Sequence, residues 1–190
     1  MPGDAPVDWL IVGLGNPGSE YDGTRHNIGF EVANVLATRW SLPKAKSRYR
    51  GLLTEGRTGP GGSRVAILRP MTYMNEAGNS VGPARGALKV DLDHVLVVHD
   101  EIDLPFGEIR VRTGGGLAGH NGLKSLRAGL GSPGFARVRI GVGRPPTTDP
   151  DRVAAYVLGR FREPREDVKA LIEQAADVVE QTVLSGPATT

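Results

Sequence analysis

The chain has 190 residues, 39% of them hydrophobic and 23% charged, with a formal net charge of +2. That length suits a single domain with one core, and the composition is ordinary for a soluble globular protein. Cysteine is absent, which excludes a disulfide framework and fits a reducing cytosol. No apolar run approaches the ~18 residues needed to span a bilayer, and "MPGDAPVDW" has neither the basic nor the apolar region of a secretory signal.

In chain order, "VDWLIVGL" reads as a buried strand, being apolar, β-branched and ended by a glycine turn. Residues 24 to 40 read as a helix with Thr24 as N-cap and an apolar stripe of Ile28, Val32, Val35 and Leu36. "YRGLLTEG" and "SRVAILRP" read as two strands of a hairpin around the Gly/Pro-rich "GRTGPGGS". "NEAGNSVGPARGALKV" is a poorer helix, interrupted by Pro83, and "HVLVVHD" is a second buried strand. "EIRVRTG" and "FARVRIGVG" add two strands with the short helix "GLKSLRAGLG" between them, "GRPPTTDPD" reads as a surface loop, and residues 164 to 185 form an amphipathic helix. Its stripe is Val168, Leu171, Ile172, Ala175, Val178, Val179 and Thr182. The alternation predicts an α/β fold over residues 1–190: one domain, a twisted mixed β-sheet flanked by α-helices.

Charge is unevenly spread. Residues 39 to 50 hold five basic side chains and no acid, and residues 107 to 144 hold seven basic residues against the single acid Glu108. Basic patches on a nearly neutral protein suit a polyanion such as nucleic acid; a solvated, uneven surface is the alternative. Arg110 and Arg112, like Arg137 and Arg139, alternate so that each pair lies on one strand face, where guanidinium forks suit phosphate oxygens. Ion pairs with the acidic C-terminal helix are the other reading of these arginines.

Gly13, Gly15 and Gly18 satisfy the dinucleotide pattern G-x-G-x-x-G. That fingerprint needs a helix to begin inside the glycines and an acid about 20 residues later. Here "NPGS" reads as a turn, the helix begins near Thr24, and the later region is basic. The glycines instead turn the backbone at a strand end and leave Asn16 on the carboxyl edge of the sheet, where α/β folds bind ligands. The second buried strand ends in His99-Asp100-Glu101; if the two strands are parallel, Asp100 emerges on the same edge. His26, in the first helical turn, is expected to be neutral because the helix terminus disfavours imidazolium. A neutral imidazole can accept a proton, and Asp100 can fix its tautomer and stabilise the cation. "RPMTYMNEAG" presents Tyr73 and Asn75, and "TGGGLAGHNGLKS" leads to His120 and Asn121 at a helix start. Asparagines can be caps or turn formers, but Asn16, Asn75 and Asn121 around one His/Asp pair suit acyl chemistry, one amide donating to a developing oxyanion. Lys124, just inside that helix, is placed to meet phosphate.

These segments resemble the bacterial peptidyl-tRNA hydrolase family. "LIVGLGNPGSEYDGTRHNIGF" and "GGGLAGHNGLKSL" look like its two signatures, and "RPMTYMNEAG", "VVHDEIDLPFGEIRVR", "RVRIGVGRP" and "VAAYVLGRF" follow in family order, from about residue 9 to 185. The resemblance implies hydrolysis of the ester joining a peptide to the terminal ribose of tRNA, in the cytoplasm, by a monomer with no metal or organic cofactor. It implies His26 as general base, Asp100 as its support, and Asn16 beside them, admitting N-blocked substrates. Tyr21 and Tyr73 line the site, Asn75 holds the peptide backbone, and Asn121 positions the water or polarises the carbonyl. His120 joins the substrate-binding set, and the phosphate-clamp positions fall on Arg112 and Arg139. Leu117 and Ala118 stand where members often have a polar residue and a glycine.

Three rival readings remain. Gly78-Asn79-Ser80-Val81-Gly82 matches G-x-S-x-G, but a nucleophile elbow needs a strand leading into the serine, and "MTYMNEAG" reads as loop into helix. The four histidines, His26, His94, His99 and His120, lack zinc-site spacing. An RNA-binding module without catalysis fits the basic patches but leaves the His/Asp/Asn set unexplained.

Overall fold

In the computed structural model, which describes residues 6–186, every strand joins one seven-stranded mixed sheet. The strands are β1 (Trp9–Gly13), β2 (Lys46–Arg48), β3 (Gly51–Arg57), β4 (Arg64–Pro70), β5 (Val95–Glu101), β6 (Ile109–Thr113) and β7 (Ala136–Gly141), in the order β2-β3-β4-β1-β5-β7-β6. The central four, β4, β1, β5 and β7, are parallel, and antiparallel strands close both edges. The parallel strands are buried runs, as sheets covered on both faces require; β1 and β5 are buried at every position.

Helices α1 (Ile28–Arg39) and α5 (Arg165–Ser185) cover one face, sharing a core with Ile11, Ile67, Val98 and Val138. Helices α2 (Gly78–Leu88) and α3 (Asn121–Leu130) cover the other, over Leu10, Val12, Leu68 and Val97. The predicted α5 stripe is largely the observed one, with Leu171, Ala175, Val179 and Thr182 buried. The helix expected at 24 to 40 begins later. Residues Arg25–Asn27 form a 3-10 turn, and Thr24 gives no cap bond to the helix; its hydroxyl donates to the carbonyl of Tyr21 (2.8 Å).

Two elements escaped the pattern. The exposed strand β2 lies within the basic stretch, and helix α4 (Pro150–Val157) begins where a loop is expected and contains no buried residue. The opening glycines make room for α1: a Cβ at Gly13 would strike the Gly29 backbone, and one at Gly15 the Phe30 ring. Only a three-residue 3-10 turn, Ser19–Tyr21, follows them and the first α-helix begins at Ile28, so the dinucleotide reading fails.

Candidate active site

Because β1 and β5 run parallel, with Gly13 beside Val98, Asn16 and Asp100 emerge on one edge of the sheet. Beside them opens a cleft of about 790 Å³ lined by Asn16, Tyr21, His26, Tyr73, Asn75, Asp100, His120, Asn121 and Lys124. Nine of the eleven sequence-predicted site residues therefore share one cavity; Arg112 and Arg139 lie outside its lining.

The cleft floor is a hydrogen-bonded set around Asp100, which is 2% exposed. Nδ1 of His26 lies 2.8 Å from Oδ2 of Asp100, and Nε2 of His120 lies 2.9 Å from Oδ1. His120 also caps α3: its Nδ1 accepts the backbone N–H groups of Gly122 (3.1 Å) and Leu123 (3.3 Å). An Nδ1 that accepts must leave the ring hydrogen on Nε2, so His120 donates to Asp100. His26 donates from Nδ1, which leaves its Nε2 lone pair as the base. Both carboxylate oxygens are thus engaged. Below them the buried His99 donates from Nδ1 to the carbonyl of Asp100 (2.8 Å), and its ring meets His120 edge-on.

Burial pulls the pKa of His26 down, but the charge and hydrogen bond of Asp100 more than offset this, so it sits above the usual 6.5. The direction is opposite to the lowering expected from a helix terminus: His26 lies in the 3-10 turn ahead of α1, against the Asp100 carboxylate. Burial favours protonated Asp100, yet the two imidazoles hold its carboxyl well below the usual carboxylate range. Burial, then the neighbouring His120, lowers His99 to about 3.

Asn16 is fixed from three directions. Its backbone N–H donates to Oδ1 of Asn27 (2.8 Å), the Asn27 amide donates back to its carbonyl (3.0 Å), and its own Oδ1 accepts the Met74 N–H (2.7 Å). The oxygen is thereby committed and the Nδ2 donor left for substrate. Asn27 was not singled out in the sequence; its adjacency to His26 was the available signal. Asn75, Asn121 and Lys124 are exposed at the rim, and Tyr73 is more than half exposed.

Helix α4 supplies a wall of the cleft through Val153, Ala154 and Val157, extended by Leu158 at its C-terminal end. Arg25 holds it, its guanidinium lying 3.8 Å over the Tyr156 ring and donating to the Tyr156 carbonyl (2.8 Å). Neither α4 nor Arg25 was anticipated.

The arginines lie on the α2/α3 face of the sheet. Register places Arg110 opposite Arg139 and Arg112 opposite Arg137. Their partners are not on α5, whose carboxylates bind Arg39 instead. Nε of Arg139 pairs with Glu101 (3.0 Å), Arg112 is exposed, and Arg137 is 1% exposed.

Ser80 is fully buried within α2, with no strand leading into it, which removes the serine-nucleophile reading. His94 stacks on Trp9, its ring centroid 4.3 Å away. His26, Asp100 and His120 do offer ligand atoms within 4.8 Å of one another, a donor set that could hold a metal ion. Those same atoms are the ones hydrogen-bonded to each other.

The sequence model of the family described as "Peptidyl-tRNA hydrolase" matches residues 10–190. The chain belongs to the peptidyl-tRNA hydrolase family. The peptidyl-tRNA hydrolase of Mycobacterium sp. (strain KMS) is 48% identical over 179 residues, covering 93% of this chain and 91% of that protein. That of Bifidobacterium adolescentis is 42% identical over 183 residues, covering 94% and 92%. The crystal structure of peptidyl-tRNA hydrolase from Acinetobacter baumannii superposes with a TM-score of 0.81 at 39% identity, over 93% of this chain and 87% of that one. Membership in this family excludes the reading as a non-catalytic RNA-binding module.

Proposed function

We propose that the chain hydrolyses the ester between a peptide and the terminal ribose of peptidyl-tRNA, freeing the tRNA for translation, with His26 as general base. The observation that carries the mechanism is the 2.8 Å contact of His26 Nδ1 with Asp100 at the floor of the cleft. It orients the ring so that Nε2 takes a proton from water as the water oxygen attacks the ester carbonyl. Asp100 stabilises the imidazolium that forms. The developing oxyanion accepts from the Asn121 amide. As the carbon–oxygen bond to ribose breaks, His26 returns its proton to the ribose oxygen, giving a free hydroxyl and a peptide carboxylic acid that then loses its proton to water.

His120 keeps Asp100 ionised and aligned. The free Nδ2 of Asn16 and the amide of Asn75 take carbonyls of the peptide, and Tyr21 and Tyr73 flank the peptidyl-adenosine end. Lys124, Arg112 and Arg139 meet phosphates. Each oxygen of Asp100 already accepts an imidazole N–H, which supports a reaction run on protons without a metal. The absence of cysteine and a translational substrate support the cytoplasm. No helix among the described residues is long and apolar enough to cross a membrane.

The test is release of deacylated tRNA from N-acetyl-aminoacyl-tRNA, with unblocked aminoacyl-tRNA as control. Turnover of the blocked substrate and little of the free one is expected. No release from the blocked substrate overturns the reading.

A further inference from the structure

Arg137 is the one member of the arginine ladder that turns inward. It is 1% exposed, forms no ion pair among the described residues, and has two cations, Arg112 and Arg139, as neighbours. Burial and those cations lower its pKa to about 10, so it stays charged at neutral pH. A buried, unpaired cation is costly unless its donors are satisfied. Here Nη1 and Nη2 are satisfied by main-chain carbonyls, while Nε is buried without a hydrogen-bond partner. Nη1 donates to Gly116 (2.6 Å), and Nη2 donates to Gly115 (3.2 Å) and Pro133 (2.9 Å). Its guanidinium also lies 4.6 Å over the Phe135 ring.

Those carbonyls belong to the two connections that flank α3. Gly114 and Gly115, with φ of 71° and 94°, turn the chain after β6 so that Gly115 and Gly116 present oxygens to Arg137. Leu117 to Gly119 follow as the tip of the loop, with Ala118 and Gly119 on the cleft. Then comes His120, bonded to Asp100. The tip is thus slung between two fixed points: Arg137 on the sheet side and the His120–Asp100 contact on the cleft side.

We propose that Arg137 is a positioning residue: by fastening Gly115 and Gly116 to the sheet it sets the path of the glycine-rich loop and so seats His120 on Asp100 and Asn121 at the cleft. Its role differs from that of Arg112 and Arg139, which share its sheet face but meet solvent. The inference rests on the reaction proposed above, and it assigns to a residue outside the cleft an effect on turnover, not on tRNA affinity. Small displacements of reacting groups can lower rates by up to ~10²-fold.

The experiment measures kcat, KM and the salt dependence of KM on N-acetyl-aminoacyl-tRNA for Arg137→Lys and Arg137→Gln, together with the NMR signal of the His120 Nε2 proton. The expected result is kcat lowered about 10- to 100-fold, KM within about twofold, an unchanged salt slope, and a shifted or broadened His120 signal. If these variants fail to fold, Gly115→Ala carries the same measurements. A Cβ there is strained at φ 94° and disturbs the same loop stem, so the same loss of kcat is expected; it also meets the Arg112 side chain, so for this variant kcat and the His120 signal decide. A lower Tm with kcat and the His120 signal unchanged would show a purely structural arginine and overturn the proposal. A raised KM with a flattened salt slope and unchanged kcat would make Arg137 a phosphate ligand, and also overturn it. Wild-type protein that released no tRNA would instead sink the proposed function.

Discussion

His120 donates from Nε2 to Oδ1 of Asp100 (2.9 Å), while its Nδ1 accepts two backbone N–H groups at the start of α3. One side chain therefore caps the start of a helix and grips Asp100, the carboxylate partner of the proposed base. Substitution should separate the two tasks. Asn is a good N-cap acceptor, but its shorter side chain does not span to Asp100 as the ring does. In His120→Asn, Tm should remain within a few degrees of wild type while kcat falls about tenfold or more, compared by thermal unfolding and steady-state kinetics. Unchanged kcat would confine His120 to capping.

The coupling of His26 to Asp100 fixes a pH dependence. The base must be neutral, so kcat/KM rises with pH through the pKa of His26, which lies above 6.5. In Asp100→Asn the upward influence is lost and burial remains, so the acid limb should move below 6.5 while the rate falls. A limb that stays in place would separate Asp100 from the titrating base. Stability follows the same signs. The raised pKa of His26 contributes stability that is fully present below its unfolded value and lost as pH rises through the folded one. The lowered pKa of Asp100 contributes stability above its unfolded value near 3.8, lost as pH falls toward the folded one.

Arg112 is the cleaner probe of phosphate contact, because Arg139 is also tied to the buried Glu101. Arg112→Ala should raise KM, leave kcat near wild type, and reduce the slope of log KM against log salt by about one. A salt titration of KM checks this, and an unaltered slope would take Arg112 off the tRNA path.

Asn121 sits at the first position of α3 and lines the cleft. Asn121→Ala should lower kcat on the order of 10²–10³-fold if its amide serves the oxyanion. His120, not Asn121, caps the helix, so Tm should change little. The opposite pattern, lowered Tm with turnover intact, would remove Asn121 from the chemistry.

Much of this arrangement was legible in the sequence, for identifiable reasons. β1 and β5 are apolar runs closed by turn signals, and their parallel pairing carries Asn16 and Asp100 to one edge. Helix α5 has one wet face, so its stripe shows. Helix α4 does not announce itself, because its apolar residues face an open cleft and not the core. β2 is three exposed polar residues held only by pairing with β3. Period-two alternation placed Arg137 and Arg139 on one face but could not tell that one would be buried by a loop folding back over it. The bond of His120 to Asp100 spans twenty residues, and its direction follows from His120 capping α3, a role that a helix start alone does not assign to it.

The most direct test of the account is turnover of N-acetyl-aminoacyl-tRNA by His26→Ala, with folding verified by thermal unfolding. Loss of the general base predicts kcat lower by roughly 10²–10⁴-fold with the protein folded. Activity within a few-fold of wild type would contradict the assignment of His26 as the base, and with it the role given to Asp100.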